Sequence, residues 1–344
     1  APDFTWETVT QMDFGFDASF LNNRLTGTFD WYRRNTKDML VAGATLPATL
    51  GASVPKSNSA DMKTIGWELS LGWNDRLENG FSYWVKGVLS DYQATITKYA
   101  GNDAGFYSQS DGDGKYYVGQ KIGEIWGYHS NGLFQSDDEA ATIDQSELYA
   151  GKWGAGDVKY EDLDNDGKIT KGEETIYNPG DKSIIGNKTP RYQFGITVGF
   201  DYKNFDFEMF WQGTGKRDYM LSGAQFWGFT SQWDVPYTPA LDYWTETNTD
   251  AYFPRPGWQN GGNRVTSDRY LQSAAYGRLK NLTVGYTIPK NLTTKWGISR
   301  LRLYVTGENL LTITPLNDAF DPETLGGMTY PINRKVAIGL NLTL

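Results

Sequence analysis

The acidic segment 162–173 holds the residues whose types and spacing most clearly predict a chemical role. Its carboxylates follow the pattern D-x-D-x-D-G, and a further acid lies eleven residues after the first. Carboxylates at alternate positions can surround a hard cation, and the glycine permits the sharp turn of a calcium-binding loop. The sequence therefore predicts a structural Ca²⁺ ion, whose ligands are Asp162, Asp164, Asp166, the backbone carbonyl of Lys168 and Glu173. A solvated acidic turn is the alternative.

Paired carboxylates suit a second chemistry, glycoside hydrolysis, in which one carboxyl group acts as acid and the other as base or nucleophile. Because the chain is rich in acids, two sets of neighbouring carboxylates can be proposed: Glu246 with Asp250, and the run Asp137, Asp138 and Glu139. The sequence does not place either set on two sides of a cleft. The hydrolase hypothesis is therefore the weaker one, and the chain is predicted not to be an enzyme.

The composition excludes several further functions. The 344 residues include no Cys, which excludes disulfides, thiolate metal sites and a Cys nucleophile. The one histidine, His129, excludes a multi-histidine zinc site and is expected to be a hydrogen-bonding loop residue. With 32 Lys and Arg against 41 Asp and Glu, the net charge is −9, so no basic stripe is available for nucleic acid.

The segment 191–202 shows the pattern that decides the fold class. One face carries aliphatic residues at its centre and rings at both ends, and the other face is polar or glycine. Aromatic rings sort to the two interfaces when a strand crosses a bilayer, whereas a soluble sandwich strand has no reason to sort them. The apolar face consists of Tyr192, Phe194, Ile196, Val198, Phe200 and Tyr202.

Similar alternation predicts about ten strands, each near the roughly 9–11 residues that span a bilayer. These strands cover 12–22, 24–39, 65–73, 81–89, 116–125 (weaker), 191–202, 205–212, 282–288, 301–312 and 336–344. Short turns alternate with long loops at about 39–60, 95–190 and 221–272. That asymmetry is typical of an all-β, transmembrane antiparallel β-barrel with long extracellular loops. A secreted β-sandwich that binds carbohydrate is the alternative.

Aromatic residues in the long loops are the candidate substrate-binding groups. Exposed rings can stack on sugars or grip peptides, but they can also pack the loops together, and the sequence leaves both interpretations open. The candidates are Trp126, Tyr128, Trp227, Trp233, Trp244 and Trp258.

Several motifs, in the same order along the chain, resemble those of the SusC/RagA-type TonB-dependent transporters of Bacteroidetes. They occupy 118–128 with 131–135, 156–160 leading into the acidic loop, 185–187 with Pro190, 243–255, 278–286, 309–312 and 321–323. The stretch 243–255 is similar to the family pattern W-T-x-x-N-x-x-A-x-x-P-R. Gly277 departs from the large apolar residue that the family usually has before Arg278-Leu279-Lys280-Asn281.

The resemblance implies that residues 1–344 are the C-terminal portion of such a barrel, with the TonB box, plug domain and early strands outside this chain. About ten strands is well short of the 22 of plugged outer-membrane transporters. An open sheet would leave two edges unpaired in lipid, which a bilayer does not tolerate. The sheet is therefore expected to be completed by another chain or by a further segment of the same one.

The resemblance also implies a function and partners. Such transporters lie in the outer membrane of Gram-negative bacteria and import glycan oligomers or peptides. A SusD-like surface lipoprotein covers the extracellular mouth, and TonB–ExbB–ExbD acts on the plug from below. In this interpretation the polar strand faces line the lumen, and no covalent chemistry takes place.

Overall fold

The computed structural model describes residues 4–42, 49, 51, 56–100, 102, 105–106, 116–149, 151–228, 230, 233, 235–257, 261–325 and 330–344. The strands are β1 Thr8–Phe20, β2 Leu25–Ala42, β3 Lys56–Arg76, β4 Ser82–Tyr99, β5 Glu124–Tyr128, β6 Ser130–Leu133, β7 Val158–Tyr160, β8 Lys182–Asn187, β9 Arg191–Tyr202, β10 Phe205–Lys216, β11 Asp218–Met220, β12 Leu271–Ser273, β13 Tyr276–Thr287, β14 Arg300–Ile313 and β15 Lys335–Thr343. The short α-helices are α1 Asp137–Ala140, α2 Ala224–Trp227 and α3 Lys290–Thr293. None of the helices in the described ranges is long or apolar enough to cross a lipid bilayer.

Nine strands of the described chain form one antiparallel sheet in the order β1-β2-β3-β4-β9-β10-β13-β14-β15. Nine of the predicted segments correspond to these strands. The prediction of a tenth wall strand at 116–125 is wrong, because the chain turns at Gly119 and Gly123, which both have positive φ angles. Strand β5 then begins at Glu124 and pairs with β8 outside the large sheet. The sheet is open, with β1 and β15 at its edges, as the strand count predicts.

The sheet has one apolar face that nothing in the described residues covers. A row of neighbours across four strands consists of Val85, Val198, Met209 and Leu282, and each pairs with the next in register. Large side chains on this face remain open to the surroundings, among them Phe14 at 69% and Val336 at 70% exposure. An exposed apolar surface of this size is favourable in contact with lipid and unfavourable in contact with water. This face is the lipid-facing side of an outer-membrane barrel wall.

Aromatic rings line the lower rim of the lipid-facing side, at the end where the short turns lie. The ring of Phe81 stacks on Phe200 with centroids 5.4 Å apart, and Phe200 stacks on Phe207 at 5.1 Å. The rings of Phe205 and Tyr286 are 4.7 Å apart. We call these five residues the turn-end girdle. It confirms the predicted sorting of rings to the strand ends and marks one membrane interface.

The opposite face is polar and lines the lumen. Three of its rings lie against glycines of the neighbouring strand: Tyr32 against Gly66, Trp84 against Gly199 and Tyr304 against Gly339. A Cβ atom at any of these glycines would overlap the ring beside it. The rings therefore cover backbone that the glycines would otherwise leave bare, which also accounts for Trp84 on a face of otherwise polar pattern.

Several strands extend beyond the lipid-facing band. On the lipid-facing side of β4, Asp91 accepts hydrogen bonds from the guanidinium of Arg191, the first residue of β9, so the band ends there. Strand β4 continues from Asp91 to Tyr99, and β3 has 21 residues in all. The ends of the predicted loop 39–60 are also strand, since β2 pairs with β3 out to Ala42 and Lys56.

The long connections fold together into what we call the loop domain, which comprises the described residues of 116–187, 217–275 and 314–325. It contains three two-stranded sheets, β5–β8, β6–β7 and β11–β12. Its apolar core is continuous across all three segments. The largest fully buried core side chains are Tyr160, Tyr270, Phe134, Phe226, Ile169 and Leu221.

Candidate functional site

A cavity of about 510 Å³ opens beside β5 and β8 in the loop domain. Its apolar wall includes Phe106 and Trp126, whose rings stack at a centroid distance of 4.0 Å and an interplanar angle of 6°. The Trp126 indole N–H donates to the hydroxyl of Tyr117 at 3.3 Å, and that hydroxyl donates to Glu124 at 2.5 Å. The indole is thereby held in one orientation, with an aromatic face available at the cavity wall.

Charged and polar groups complete the cavity lining. Lys182 forms an ion pair with Glu174, and its ammonium lies 5.4 Å from the centre of the Tyr128 ring. The Tyr128 hydroxyl is buried and has no hydrogen-bond partner within the described residues. Burial raises the pKa of this phenol well above its usual value, so it stays protonated and able to donate. Apolar walls with a few polar groups are typical of a small-molecule site.

The structure describes five of the six predicted aromatic residues, and these five lie in different environments. Trp126 and Tyr128 line the cavity. Trp227 and Trp244 are only 9% and 7% exposed and pack in the core of the loop domain. Trp233 is 84% exposed and does not line the cavity. Trp258 lies outside the described residues.

The acidic loop has a shape that suits a cation. Carboxylate oxygens of Asp162, Asp164 and Asp166 all lie within 4.8 Å of one another. The Asp162 carboxylate accepts backbone N–H groups from Gly167 at 2.8 Å and from Asp166 at 3.2 Å. Gly167 has a φ angle of +83°, which is the left-handed turn that the motif predicts for this position. The other two predicted ligands are Lys168 and Glu173, and the Glu173 carboxylate is not part of this cluster.

The pKa values of two aspartates in the acidic loop are shifted in opposite directions. Desolvation acts to raise the pKa of Asp162, but backbone N–H groups, first that of Gly167, outweigh it and lower the pKa. Desolvation and the charge of Asp166 raise the pKa of Asp164. The crowding of carboxylates is thus only partly relieved within the chain, and a cation would relieve the rest.

Asp181 holds the base of this loop and could not be found from the calcium pattern. It is fully buried, and its two carboxylate oxygens accept the N–H groups of Leu163 and Thr170, each at 2.7 Å. These residues are at the two ends of the acidic turn, so one side chain sets the distance between them. The only signal in the sequence is a lone acid nineteen residues after Asp162.

Two of the carboxylates proposed for hydrolysis, Glu139 and Asp137, have structural partners. Glu139 accepts the N–H of Gln135 and pairs with Lys159 at 2.9 Å, and these contacts lower its pKa. A general acid needs a raised pKa. Asp137 accepts the N–H of Ala155 at 2.9 Å, and Glu246 and Asp250 lie in exposed turns.

His129 joins three segments of the loop domain. Its Nδ1 atom lies 2.7 Å from Asp268 and its Nε2 atom 2.7 Å from the hydroxyl of Ser183. Asp268 also accepts the N–H of Ser130 at 2.9 Å. The three side chains stand in the order of a hydrolase triad, but they join the residue between β5 and β6 to β8 and to the segment before β12, and none of them lines the cavity. His129 is the hydrogen-bonding loop residue that the sequence predicts.

Two of the sequence motifs meet in space. Arg278, only 3% exposed, donates to Asp321 at 2.5 Å and lies 3.0 Å from Glu323 without hydrogen-bond geometry. Lys280 also pairs with Glu323 at 3.2 Å. The segment that contains these acids is thereby fixed against the lumen side of β13, and its Phe320 is buried in the core of the loop domain. We call these four residues the ion-pair latch.

Comparison with known proteins agrees with this architecture. The family model described as "TonB dependent receptor-like, beta-barrel" matches residues 1–310. The chain belongs to this family. Barrels of this family lie in the outer membrane, which is where the lipid-facing side of the sheet places this one. The family members that the chain resembles are receptors and transporters, and the coarse assignment of a TonB-dependent receptor barrel is confirmed.

Individual members of the family are similar to this chain over almost its whole length. TonB-dependent receptor P3 of Formosa agariphila is 30% identical over 98% of this chain, and TonB-dependent receptor SusC of Bacteroides thetaiotaomicron is 26% identical over 98%. The chain covers only 34% and 32% of these two proteins, so it spans about a third of their length. A structure of the RagAB peptide transporter superposes on 99% of this barrel segment with a TM-score of 0.75 at 23% identity, which shows a shared fold.

Proposed function

We propose that residues 1–344 form the C-terminal barrel portion of a SusC-type transporter that imports oligomeric nutrients across the outer membrane. The observation that carries this proposal is the open nine-stranded sheet with one lipid-facing and one polar face. Its two edges, β1 and β15, expose backbone groups that lipid cannot satisfy, so the wall requires further strands. The N-terminal remainder of the barrel supplies those strands, either as a separate chain or as a further segment of this one.

In this proposal the remaining parts of the machine act on the wall from both ends. A SusD-like lipoprotein meets the loop domain at the extracellular mouth. TonB–ExbB–ExbD pulls on a plug that fills the lumen against the polar strand faces. Native purification from outer membrane in detergent should recover this chain joined to or together with an N-terminal barrel portion and the lipoprotein. Recovery of residues 1–344 as a stable polypeptide with no further barrel strands would overturn the proposal.

We propose glycan oligomers as the cargo and the 510 Å³ cavity as one of their binding sites. The flat Phe106–Trp126 pair offers a face on which a sugar ring can stack, and Lys182 and Glu174 can bind hydroxyl groups at its edge. A peptide is the second candidate, since the RagAB relative in fold is a peptide transporter and the same charged pair suits peptide termini.

Replacing Trp126 with alanine should weaken cargo binding roughly tenfold, which corresponds to about 1.4 kcal/mol, because the stacking face is lost. The measurement is calorimetric titration of the purified complete transporter with mixed oligosaccharides and, separately, mixed peptides. Trp233→Ala is the matched control, since this indole is exposed and lies outside the cavity. Weakening by Trp233→Ala and not by Trp126→Ala would place the site elsewhere. Whether the oligosaccharides or the peptides bind with a measurable Kd decides between glycan and peptide as the cargo.

We further propose that the acidic loop binds Ca²⁺ through Asp162, Asp164, Asp166, the carbonyl of Lys168 and Glu173, and that the ion braces the loop domain. The carboxylate cluster, the turn at Gly167 and the clamp by Asp181 support this. Glu173 lies outside the cluster, so it would have to move toward the ion or be replaced by water. No catalysis is assigned to the metal.

The double replacement Asp164→Asn with Asp166→Asn should abolish the Ca²⁺ binding that calorimetry measures. It should also make the loop domain as sensitive to protease as the parent protein becomes when a chelator removes Ca²⁺. Asp138→Asn, an exposed acid on α1, is the control and should change neither. The pKa of Asp164 is raised, so this side chain takes up a proton at a higher pH than an ordinary aspartate, whose pKa is about 3.9. As the pH falls, the affinity for Ca²⁺ should therefore begin to weaken at that higher pH. Equal Ca²⁺ affinity in the double variant and the parent would refute the site.

A further inference from the structure

The connection between β13 and β14 differs from the other described turns at its end of the sheet. Residues 21–24 and 203–204 are tight turns, whereas 288–299 forms the short helix α3 followed by a 3₁₀ turn at Thr294–Trp296. Gly297 ends the turn with a φ angle of +70°. The segment is anchored to the wall, because Ile288 donates to Leu301 and Ser299 donates to Thr343, each at 2.8 Å.

One side of this segment is apolar and exposed. Leu292 and Trp296 are four residues apart, which puts them on the same side of a helical turn. They are 43% and 63% exposed. Thr293 is fully buried, so the segment packs on the wall through a different side and leaves the two apolar side chains turned away from it.

The apolar pair lies at the same end of the sheet as the turn-end girdle. The rings of the girdle run from Phe81 across to Tyr286 on β13. At the same end of β14 and β15, the lipid-facing residues are leucines, namely Leu301 and Leu303 on β14 and Leu340 and Leu342 on β15. Trp296 lies in the connection between β13 and β14 and supplies a ring where the strands themselves have none.

The charge of the segment also departs from that of the chain. The chain has a net charge of −9, but residues 288–299 include two lysines, Lys290 and Lys295, and no acid. Both lysines are exposed. A short helical turn with an apolar side and basic flanks is the arrangement that binds at the surface of an anionic bilayer.

We propose that the β13–β14 connection is a lipid anchor, in which Leu292 and Trp296 insert at the boundary of headgroups and acyl chains. Lys290 and Lys295 contact the phosphates of anionic phospholipids beside them. The anchor fixes the height and tilt of the last strands of the wall. It depends on the membrane position of the sheet and not on the identity of the cargo.

Because these 344 residues include no cysteine, single labels report on this anchor directly. The complete transporter, with any cysteine outside this segment replaced, is labelled with a nitroxide at Leu292→Cys, which keeps Trp296. Asn291→Cys, exposed and on another side of the same turn, is the control. The protein is reconstituted in vesicles of phosphatidylethanolamine and phosphatidylglycerol, and in vesicles of phosphatidylcholine alone. Paramagnetic resonance then compares collision with oxygen, which partitions into lipid, with collision with a water-soluble nickel chelate.

The label at 292 should favour oxygen and the label at 291 should favour the chelate. Adding Trp296→Ala should shift the label at 292 toward the chelate. The label at 292 should lie deeper in the vesicles that contain phosphatidylglycerol than in those of phosphatidylcholine alone. Replacing both lysines with glutamine should remove this difference in depth. Equal chelate collision at 291 and 292, or shielding of 292 from both reagents as under a protein partner, overturns the anchor. Depth that does not respond to the lysines overturns the phosphate contacts.

Discussion

Replacing Arg278 with alanine should lower the free energy of unfolding of the latched segment by about 3 kcal/mol, the lower end for breaking a buried ion pair. The guanidinium is 3% exposed, and its removal leaves Asp321 and Glu323 beside the wall without their main cation. The lower end applies because these two carboxylates are 27% and 20% exposed and keep some solvent. Hydrogen exchange of residues 314–325 in the complete transporter measures the effect.

Lys280→Ala is the matched control for the latch. It removes one cation from the same Glu323, but from a side chain that is 23% exposed, so its cost should stay below about 1 kcal/mol. Arg278→Lys should fall between the two, since it keeps the charge and loses the planar group that reaches both Thr312 and Asp321. Equal protection of 314–325 in the two alanine variants would contradict the latch.

Arginine at Val198 should destabilise the inserted barrel by about 2–4 kcal/mol, the cost of a cation near the bilayer midplane on a lipid-facing strand position. Val198 lies between Val85 and Met209 on the neighbouring strands, midway between the rings at the two ends of β9. No acid on that row can pair with the new charge. The midpoint of thermal unfolding in vesicles, followed by the mobility shift of the folded barrel in electrophoresis, reports the loss.

The neighbouring position provides the control, because successive residues of a strand point to opposite faces. Thr197→Arg faces the lumen, where water can hydrate the charge. It stands opposite Lys86, and that like-charge pair should cost no more than about 1 kcal/mol. If the two arginines were equally costly, or Thr197→Arg the worse, the assignment of lipid and lumen faces would be wrong.

The fold could be predicted from the sequence where one side of a strand meets lipid. A shift of one residue would turn every apolar side chain of 191–202 toward the lumen, so the pattern sets both the strand and its face. Strand β9 has the predicted bounds. The lengths of β3 and β4 could not be predicted, because the first residues of β3 are mostly polar and the apolar residues of β4 beyond Asp91, such as Ile96, stand at positions of opposite parity to Val85 and Leu89.

The site was less accessible from sequence, because its contacts join distant residues. Arg278 and Asp321 are 43 residues apart, and Asp181 acts on a turn that begins 19 residues earlier. The motif at 162–173 is local, and its cluster of three aspartates could therefore be predicted. Tryptophan in a loop has the same residue type whether it packs or binds, so Trp227 and Trp126 could be distinguished only by their burial.

The extension of β3 and β4 has a consequence for how cargo arrives. Strand β4 runs eight residues past Asp91, and β3 runs eleven past its cross-strand neighbour Trp67. At roughly 3.3 Å per residue, these two strands continue for about 26–36 Å along their own length beyond the lipid. On the side of β3 and β4, this parapet stands between the outer leaflet and the space above the lumen, so a molecule dissolved in the membrane would have to pass over it there. If the chain acts as we propose, cargo on this side therefore enters from the surrounding medium, over the top of these two strands.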